Sequence, residues 1–192
     1  MGTPGHMVRH MLLDADDATV RALADSVTLP TTSIKGFMES ADLGKLLTPD
    51  WTPDPPEVLM AATLQPAEPR IDSAYRVSVE RDGDVTYARV MTADRAIAAR
   101  GQVAVTGRTC VFDQIETAPE HQRRGLGSAV MAALATAATD LGAVTGILAA
   151  TTQGRALYEA LGWAVAGPLS SFVYKRRPER TRDLSERICR NG

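Results

Sequence analysis

Gln122-Arg123-Arg124-Gly125-Leu126-Gly127 stands between two stretches that obey different periodicities. Before it, from Tyr75 to Ile115, apolar residues alternate every second position, the pattern of half-buried strands. After it, Val130, Leu134, Ala137 and Leu141 fall on one helical face, with Met131 and Ala138 beside them. The hexapeptide is therefore a strand-to-helix junction. Glycines at such a junction let backbone N–H groups turn inward around an anion. The first helical turn adds unpaired donors and the positive end of the dipole, and Arg123 and Arg124 bring charge. On its physics the segment is a phosphate or pyrophosphate cradle, although a helix entry that only needs a tight turn would use the same glycines. Two other nucleotide motifs fail here. The dinucleotide fingerprint needs Gly or Ala where Val130 stands, and a P-loop needs Gly-Lys-Ser/Thr, which is absent.

Working outward, Tyr75-Arg76-Val77-Ser78-Val79-Glu80 alternates, Asp82-Gly83 supplies a hairpin turn, and Val85 to Met91 alternates again. Ala96 to Val105 and Thr109 to Ile115 pair around Thr106-Gly107-Arg108, completing a four-stranded antiparallel meander. Gly142 ends the helix that follows the cradle. Val144 to Ala149 reads as a short buried strand and Gln153 to Leu161 as a helix stopped by Gly162. Trp163 to Ala166 and Ser170 to Tyr174 read as two closing strands around Gly167-Pro168. The layout is α+β with one β-α-β crossover at its centre. Upstream, Asp14 to Val27 has helical spacing behind an aspartate cap. A second helix is expected after Thr32 or Ser33, carrying Ile34, Phe37, Met38 and Leu43. Thr48 to Pro69 holds six of the eleven prolines. It reads as a connector or wrapping loop with at most a helical turn or two around Glu57 to Thr63.

Composition narrows the class. The 192 residues are 44% hydrophobic and 23% charged with a formal net charge of −2, which fits one globular domain and excludes wholesale disorder. Lys175 to Gly192 carries seven basic and three acidic residues, so a +4 end balances a −6 body. Such a mixed run is ordinarily solvated, and nucleic acid is not expected as a partner. Gly125 to Gly154 contains a single charge, Asp140, but its glycines and threonines make it soluble core rather than a membrane span. Cys110 and Cys189 show no metal-ligand spacing, so no metal is expected and a reduced, cytoplasmic protein is. Met1 to Met7 has the look of a vector remnant and lacks the features of a secretory signal.

Ile115-Glu116-Thr117-Ala118-Pro119-Glu120-His121-Gln122-Arg123-Arg124-Gly125-Leu126-Gly127 resembles motif A of the GNAT superfamily, the acyl-CoA-dependent N-acyltransferases, whose signature is Gln/Arg-x-x-Gly-x-Gly/Ala. Gly154-Arg155-Ala156-Leu157-Tyr158-Glu159-Ala160-Leu161-Gly162-Trp163 is similar to the family's motif B, a Leu-Tyr pair followed by a Gly-aromatic pair. The resemblance spans about Tyr75 to Tyr174. It implies a mixed, mostly antiparallel sheet flanked by helices, here with an N-terminal helical region. The expected divisions are a tag remnant (1–7), a helical and proline-rich region packing on the core (8–70), the acetyltransferase core (71–175) and a basic tail (176–192).

The resemblance also implies acetyl-CoA as cosubstrate. Gln122, Arg123, Arg124, Gly125, Leu126, Gly127 and Ser128 would hold the pyrophosphate, and the strand at Ile115, Glu116 and Thr117 would pair with the pantetheine arm. That strand and the one at Val144 to Ala149 splay apart in such folds. Acyl transfer to an amine needs a proton acceptor, an oxyanion donor and a proton for the departing thiolate. Tyr158 is the candidate general acid, because an ordinary phenol is protonated at neutral pH, with a pKa of about 10. Glu116, opposite in orientation to Ile115 and Thr117 under strict alternation, is the candidate base, with Asp113 read as a weaker alternative on its face. Thr151 stands where many relatives carry a cofactor-binding asparagine. Arg155 can reach phosphates or remain exposed, His121 reads as a structural ring, and Cys110 as core. The expected reaction is acetylation of a primary amine on a small molecule or peptide. A non-acetyl acyl transfer and a CoA-binding regulatory module are the rivals, and homodimerisation is left open.

Overall fold

The computed structural model describes residues 8–175; the expected tag remnant, the basic tail and Cys189 lie outside the described residues. The described chain opens on a strand, β1 (Val8–Leu12), not on a helical region. It passes through α1 (Asp17–Ser26), where the Asp16 carboxylate accepts from the Thr19 N–H at 2.8 Å, to a parallel neighbour, β2 (Thr32–Gly36). The helix expected after Thr32 is thus this strand followed by the single turn α2 (Ser40–Gly44). The spacing of Ile34, Phe37 and Met38 imitates a helix. Thr32 and Ile34 are β-branched, however, and all of β2 is buried between two strands, which rewards extended backbone.

The proline-rich stretch is likewise not a loop. It gives β3 (Trp51–Pro53) and β4 (Glu57–Thr63). Pro55 and Pro56 precede β4, and Pro66 and Pro69 follow it, so the prolines delimit a strand rather than prevent one.

The meander appears as expected: β5 (Tyr75–Asp82), β6 (Val85–Thr92), β7 (Ile97–Thr106) and β8 (Thr109–Thr117), consecutively antiparallel. After a 3-10 turn at Pro119–His121 come α3 (Leu126–Asp140), β9 (Thr145–Thr151) and α4 (Thr152–Ala160). The two expected closing strands are one, β10 (Ala164–Tyr174), kinked by a bulge between Val165 and Gly167.

The sheet order is β1-β2-β10-β4-β9-β8-β7-β6-β5, with β3 also on β10. One face carries the helices. A Cβ on Gly101 would overlap Ile115 and lie 2.8 Å from Val130 Cγ1 of α3, so β7 can pass beneath the helix there only as glycine. Val103, Phe112, Leu148 and Met60 share that face and form the main core with Val130 and Leu134. A second core on the same face joins Ile34 and Phe172 to Val20 and Ala24 of α1, with Leu43 of α2.

A candidate acyl-CoA site at the splayed strands

The cradle has the shape its glycines allow. Arg123 and Gly125 both adopt positive φ, 62° and 76°, which turns successive N–H groups of the segment toward one concavity. Gly125 is the N-cap of α3, and the first helical bond is Ala129 N–H to Gly125 carbonyl at 3.1 Å. Among the described residues, the N–H groups of Arg123 through Ser128 therefore have no backbone acceptor. Gly127 is needed for proximity. A Cβ there would stand 3.0 Å from Leu157 Cδ2 of α4. Unpaired donors at a helix N-terminus suit a diphosphate. The residues present fit the pyrophosphate of an acyl-CoA.

Beside the cradle, β8 and β9 part company. They pair in parallel from Thr109↔Thr145 to Phe112↔Leu148 and no further. From Asp113 onward the β8 edge facing β9 has no partner strand, while its other edge stays on β7. Ile115, Glu116 and Thr117 lie along that open edge. A bulge sits between Asp113 and Glu116, with Gln114 at φ 55°. Strict alternation would put Asp113 with Ile115. The bulge instead brings Asp113 and Glu116, three apart, to the same open face, through the register pairs Gln102↔Asp113 and Arg100↔Glu116.

Tyr158 stands on α4, within electrostatic reach of Asp113. It is 7% exposed and its ring lies 6.3 Å from that of Trp163. Burial, and then the Asp113 charge, push its pKa above the usual 10. Its hydroxyl makes no hydrogen bond among the described residues. Asp113 Oδ1 accepts from the Gln114 N–H at 2.9 Å. Glu116 is differently placed. Arg100 Nε and Nη2 both donate to its Oε2, at 3.0 and 2.6 Å.

The other expected site residues divide. Thr151 is the N-cap of α4, its hydroxyl accepting from the Gly154 N–H at 3.1 Å. Gln122 Nε2 reaches the Thr117 carbonyl at 3.4 Å, tying the cradle to β8. Arg155 bonds Glu159 at 2.6 Å on the surface of its own helix. Arg124 donates to the Tyr75 hydroxyl at 2.9 Å, and that hydroxyl meets His121 Nδ1 at 3.0 Å. Tyr75 and Arg100 were not read from the sequence as part of the site. Only partners distant in sequence reveal them, Arg124 and His121 for Tyr75 and the cross-strand Glu116 for Arg100, and no spacing along the chain carries that signal. Cys110 is buried under the sheet, its thiol pushed up to about 11 by desolvation, away from nucleophilic chemistry. Among the described residues no group of His, Cys, Asp or Glu is placed to hold a metal, and no helix is long and apolar enough to cross a membrane.

Comparison with known proteins agrees with this fold. The family model of the GNAT acetyltransferases matches residues 42–163. The chain belongs to the GNAT acetyltransferase family, whose reactions use acyl-CoA. Among solved structures, a GCN5-related N-acetyltransferase from Kribbella flavida is similar over 90% of this chain and 79% of its own, at 15% identity and a TM-score of 0.63. A GCN5-related N-acetyltransferase from Sphaerobacter thermophilus is similar over 77% of this chain and 61% of its own, at 13% identity and a TM-score of 0.60. At such identities the likeness is one of fold. No curated protein matches the chain.

Proposed function

We propose that the chain transfers an acetyl group from acetyl-CoA to a primary amine by direct attack through a tetrahedral intermediate. The observation that supports this reading is the combination of unpaired cradle N–H groups, the strand gap beside them, and a buried Tyr158 phenol that senses the charge of Asp113. Arg123 to Ser128 hold the diphosphate, and the free β8 edge at Ile115 to Thr117 aligns the pantetheine arm. Asp113 takes the amine proton as the C–N bond forms, and Tyr158 delivers a proton to sulfur as the C–S bond breaks. Two groups share the open face as possible bases. Arg100 occupies one oxygen of Glu116, and that favours Asp113. Much of the acceleration comes from holding thioester and amine together.

The test is acetyl-CoA consumption across a panel of primary amines, with a thermal-shift titration of CoA as the binding control. CoA at about 100 times its Kd should stabilise the protein by about 2.7 kcal/mol. Gly125→Val, which forces a β-branched residue into φ 76°, should abolish that shift. A wild-type protein indifferent to CoA, or a variant that keeps the full shift, overturns the cradle; binding without turnover on any amine overturns the reaction.

A further inference from the structure

Arg123 is the one non-glycine residue of the cradle whose backbone is left-handed, at φ 62°. A Cβ makes that conformation costly, and such residues persist only where their surroundings fix them. The local backbone does not fix this one. Ahead of it, the His121 N–H bonds the Ala118 carbonyl at 2.9 Å and the Gln122 N–H bonds the Pro119 carbonyl at 3.4 Å. From Arg123 to Ser128 no N–H donates to backbone among the described residues. That leaves donors for a ligand, but it also leaves the turn without internal ties. The ties come from β5. Tyr75 heads that strand, its N–H bonded to the Asp72 carbonyl at 3.0 Å and its main chain in register with Thr92 of β6. Its ring is 6% exposed and meets the His121 ring edge-on, with centroids 5.7 Å apart. Its hydroxyl lies 3.0 Å from His121 Nδ1 and accepts from Arg124 Nη1 at 2.9 Å. One hydroxyl on an anchored strand thus holds the residues on both sides of the strained position. Gln122 adds only a longer contact, 3.4 Å to the Thr117 carbonyl.

We infer that Tyr75 is a positioning residue for acyl-CoA binding: its hydroxyl clamps His121 and Arg124 across Arg123 and so holds the cradle in its receptive shape before any ligand arrives. The inference rests on the reading of the cradle as the diphosphate site. The Arg124 side chain is the strut of this clamp, while its N–H stays among the cradle donors. The phenol suits the task, because it is rigid and its oxygen can accept from the guanidinium while donating to a neutral imidazole. Without the hydroxyl, Arg123 is released toward backbone conformations that a Cβ prefers, and the fraction of molecules with a competent cradle falls. The apparent dissociation constant rises by the inverse of that fraction. Bound phosphates hold the turn themselves, so the chemistry at the thioester is left as it was.

The experiment is isothermal titration of CoA into the full chain, wild type beside variants. Tyr75→Phe should raise the Kd of CoA at least about tenfold, the result of a competent fraction reduced to about one tenth. On the amine that the acceptor panel identifies, KM for acetyl-CoA should rise in step while kcat stays within about twofold. Arg123→Gly removes the Cβ that makes the turn costly. In the Arg123→Gly background, Tyr75→Phe should therefore cost less than about threefold in Kd. A loss of packing alone would neither separate KM from kcat nor be relieved by Arg123→Gly. Arg124→Gln, at an exposed residue, cuts the same contact from the other side and carries the same cycle if Tyr75→Phe does not fold. A wild type that does not bind CoA overturns the cradle reading and this inference with it. A wild type that binds, with Tyr75→Phe within about twofold of it, overturns the clamp alone, and so does an equal loss in both backgrounds.

Discussion

Tyr158→Phe removes one oxygen from the site and separates chemistry from folding. The ring is 7% exposed and packs on Trp163, and both survive the change. The Trp163 N–H bonds the Tyr158 backbone carbonyl at 3.0 Å, which the substitution does not touch. The hydroxyl has no hydrogen-bond partner among the described residues, so its removal orphans nothing, and the stability change should stay below about 1 kcal/mol. Loss of a positioned general acid instead costs about 10²–10⁴ in rate, or roughly 3–5 kcal/mol of barrier. The expected outcome is a kcat lower by at least about a hundredfold, with the CoA-induced thermal shift intact. The assay is thiol release at saturating acetyl-CoA and acceptor, run from neutral to alkaline pH. The pKa of Tyr158 is raised above 10, so the phenol stays protonated across that range and gives the wild type no alkaline limb below about pH 10. The sign for stability follows the same shift. The folded state holds the proton more tightly, so the contribution is complete below pH 10 and is lost as pH rises through the folded value. A variant turning over within about threefold of wild type refutes Tyr158 as the acid.

Two further changes test other parts of the reasoning. Asp113→Asn should lower kcat by about a hundredfold, whereas Glu116→Gln, already engaged by Arg100, should cost less than about fivefold; steady-state kinetics showing the reverse order returns the base role to Glu116. Lys35→Met strands Glu57, whose side chain is 19% exposed in a pair with an 11% exposed lysine. It should cost about 3 kcal/mol, or a Tm lower by about 6–12 °C. Adding Glu57→Leu should restore most of it, and an unchanged Tm in the single variant would contradict the buried pair.

The site was more legible than the sheet that carries it. Gly125 and Gly127 announce a junction because a positive φ and a close helix–helix approach both exclude side chains, and that constraint is local. Alternation from Tyr75 to Ile115 is equally local, since each strand shows one apolar face to α3. What the sequence concealed is non-local. β2 is buried along its whole length, and β4 runs from Val58 to Ala62 without a polar residue, so neither shows the alternation that would mark it. Val58-Leu59-Met60 then looks no different from a helical turn. The bulge at Gln114 was invisible for a related reason. It lies opposite Gly101 on the neighbouring strand, where Ile115 fills the space a side chain would take, and no pattern within β8 encodes that. Glu116 read as an isolated strand carboxylate until its cross-strand partner, Arg100, came into register.

The gap between β8 and β9 has a cause in the strands outside it. At its open end β8 keeps its pairing with β7, through Arg100↔Glu116 and Ala99↔Thr117. Ala149, Ala150 and Thr151 of β9 keep theirs with Leu59, Val58 and Glu57 of β4. Each strand follows its outer neighbour, and the bulge bends β8 further from β9. The bonds lost across the gap are therefore offset on both outer edges. β4 is essential to this arrangement. It fills the position between β9 and β10, paired along both edges, so the α4 crossover that carries Tyr158 spans two strand spacings, about 10 Å. Lys35 of β2 then ties β4 inward through Glu57, at the level where Thr151 caps α4. The family motifs cover the cradle glycines and the tyrosine, but the crossover on which the tyrosine sits is widened by a strand from the proline-flanked segment that precedes the meander.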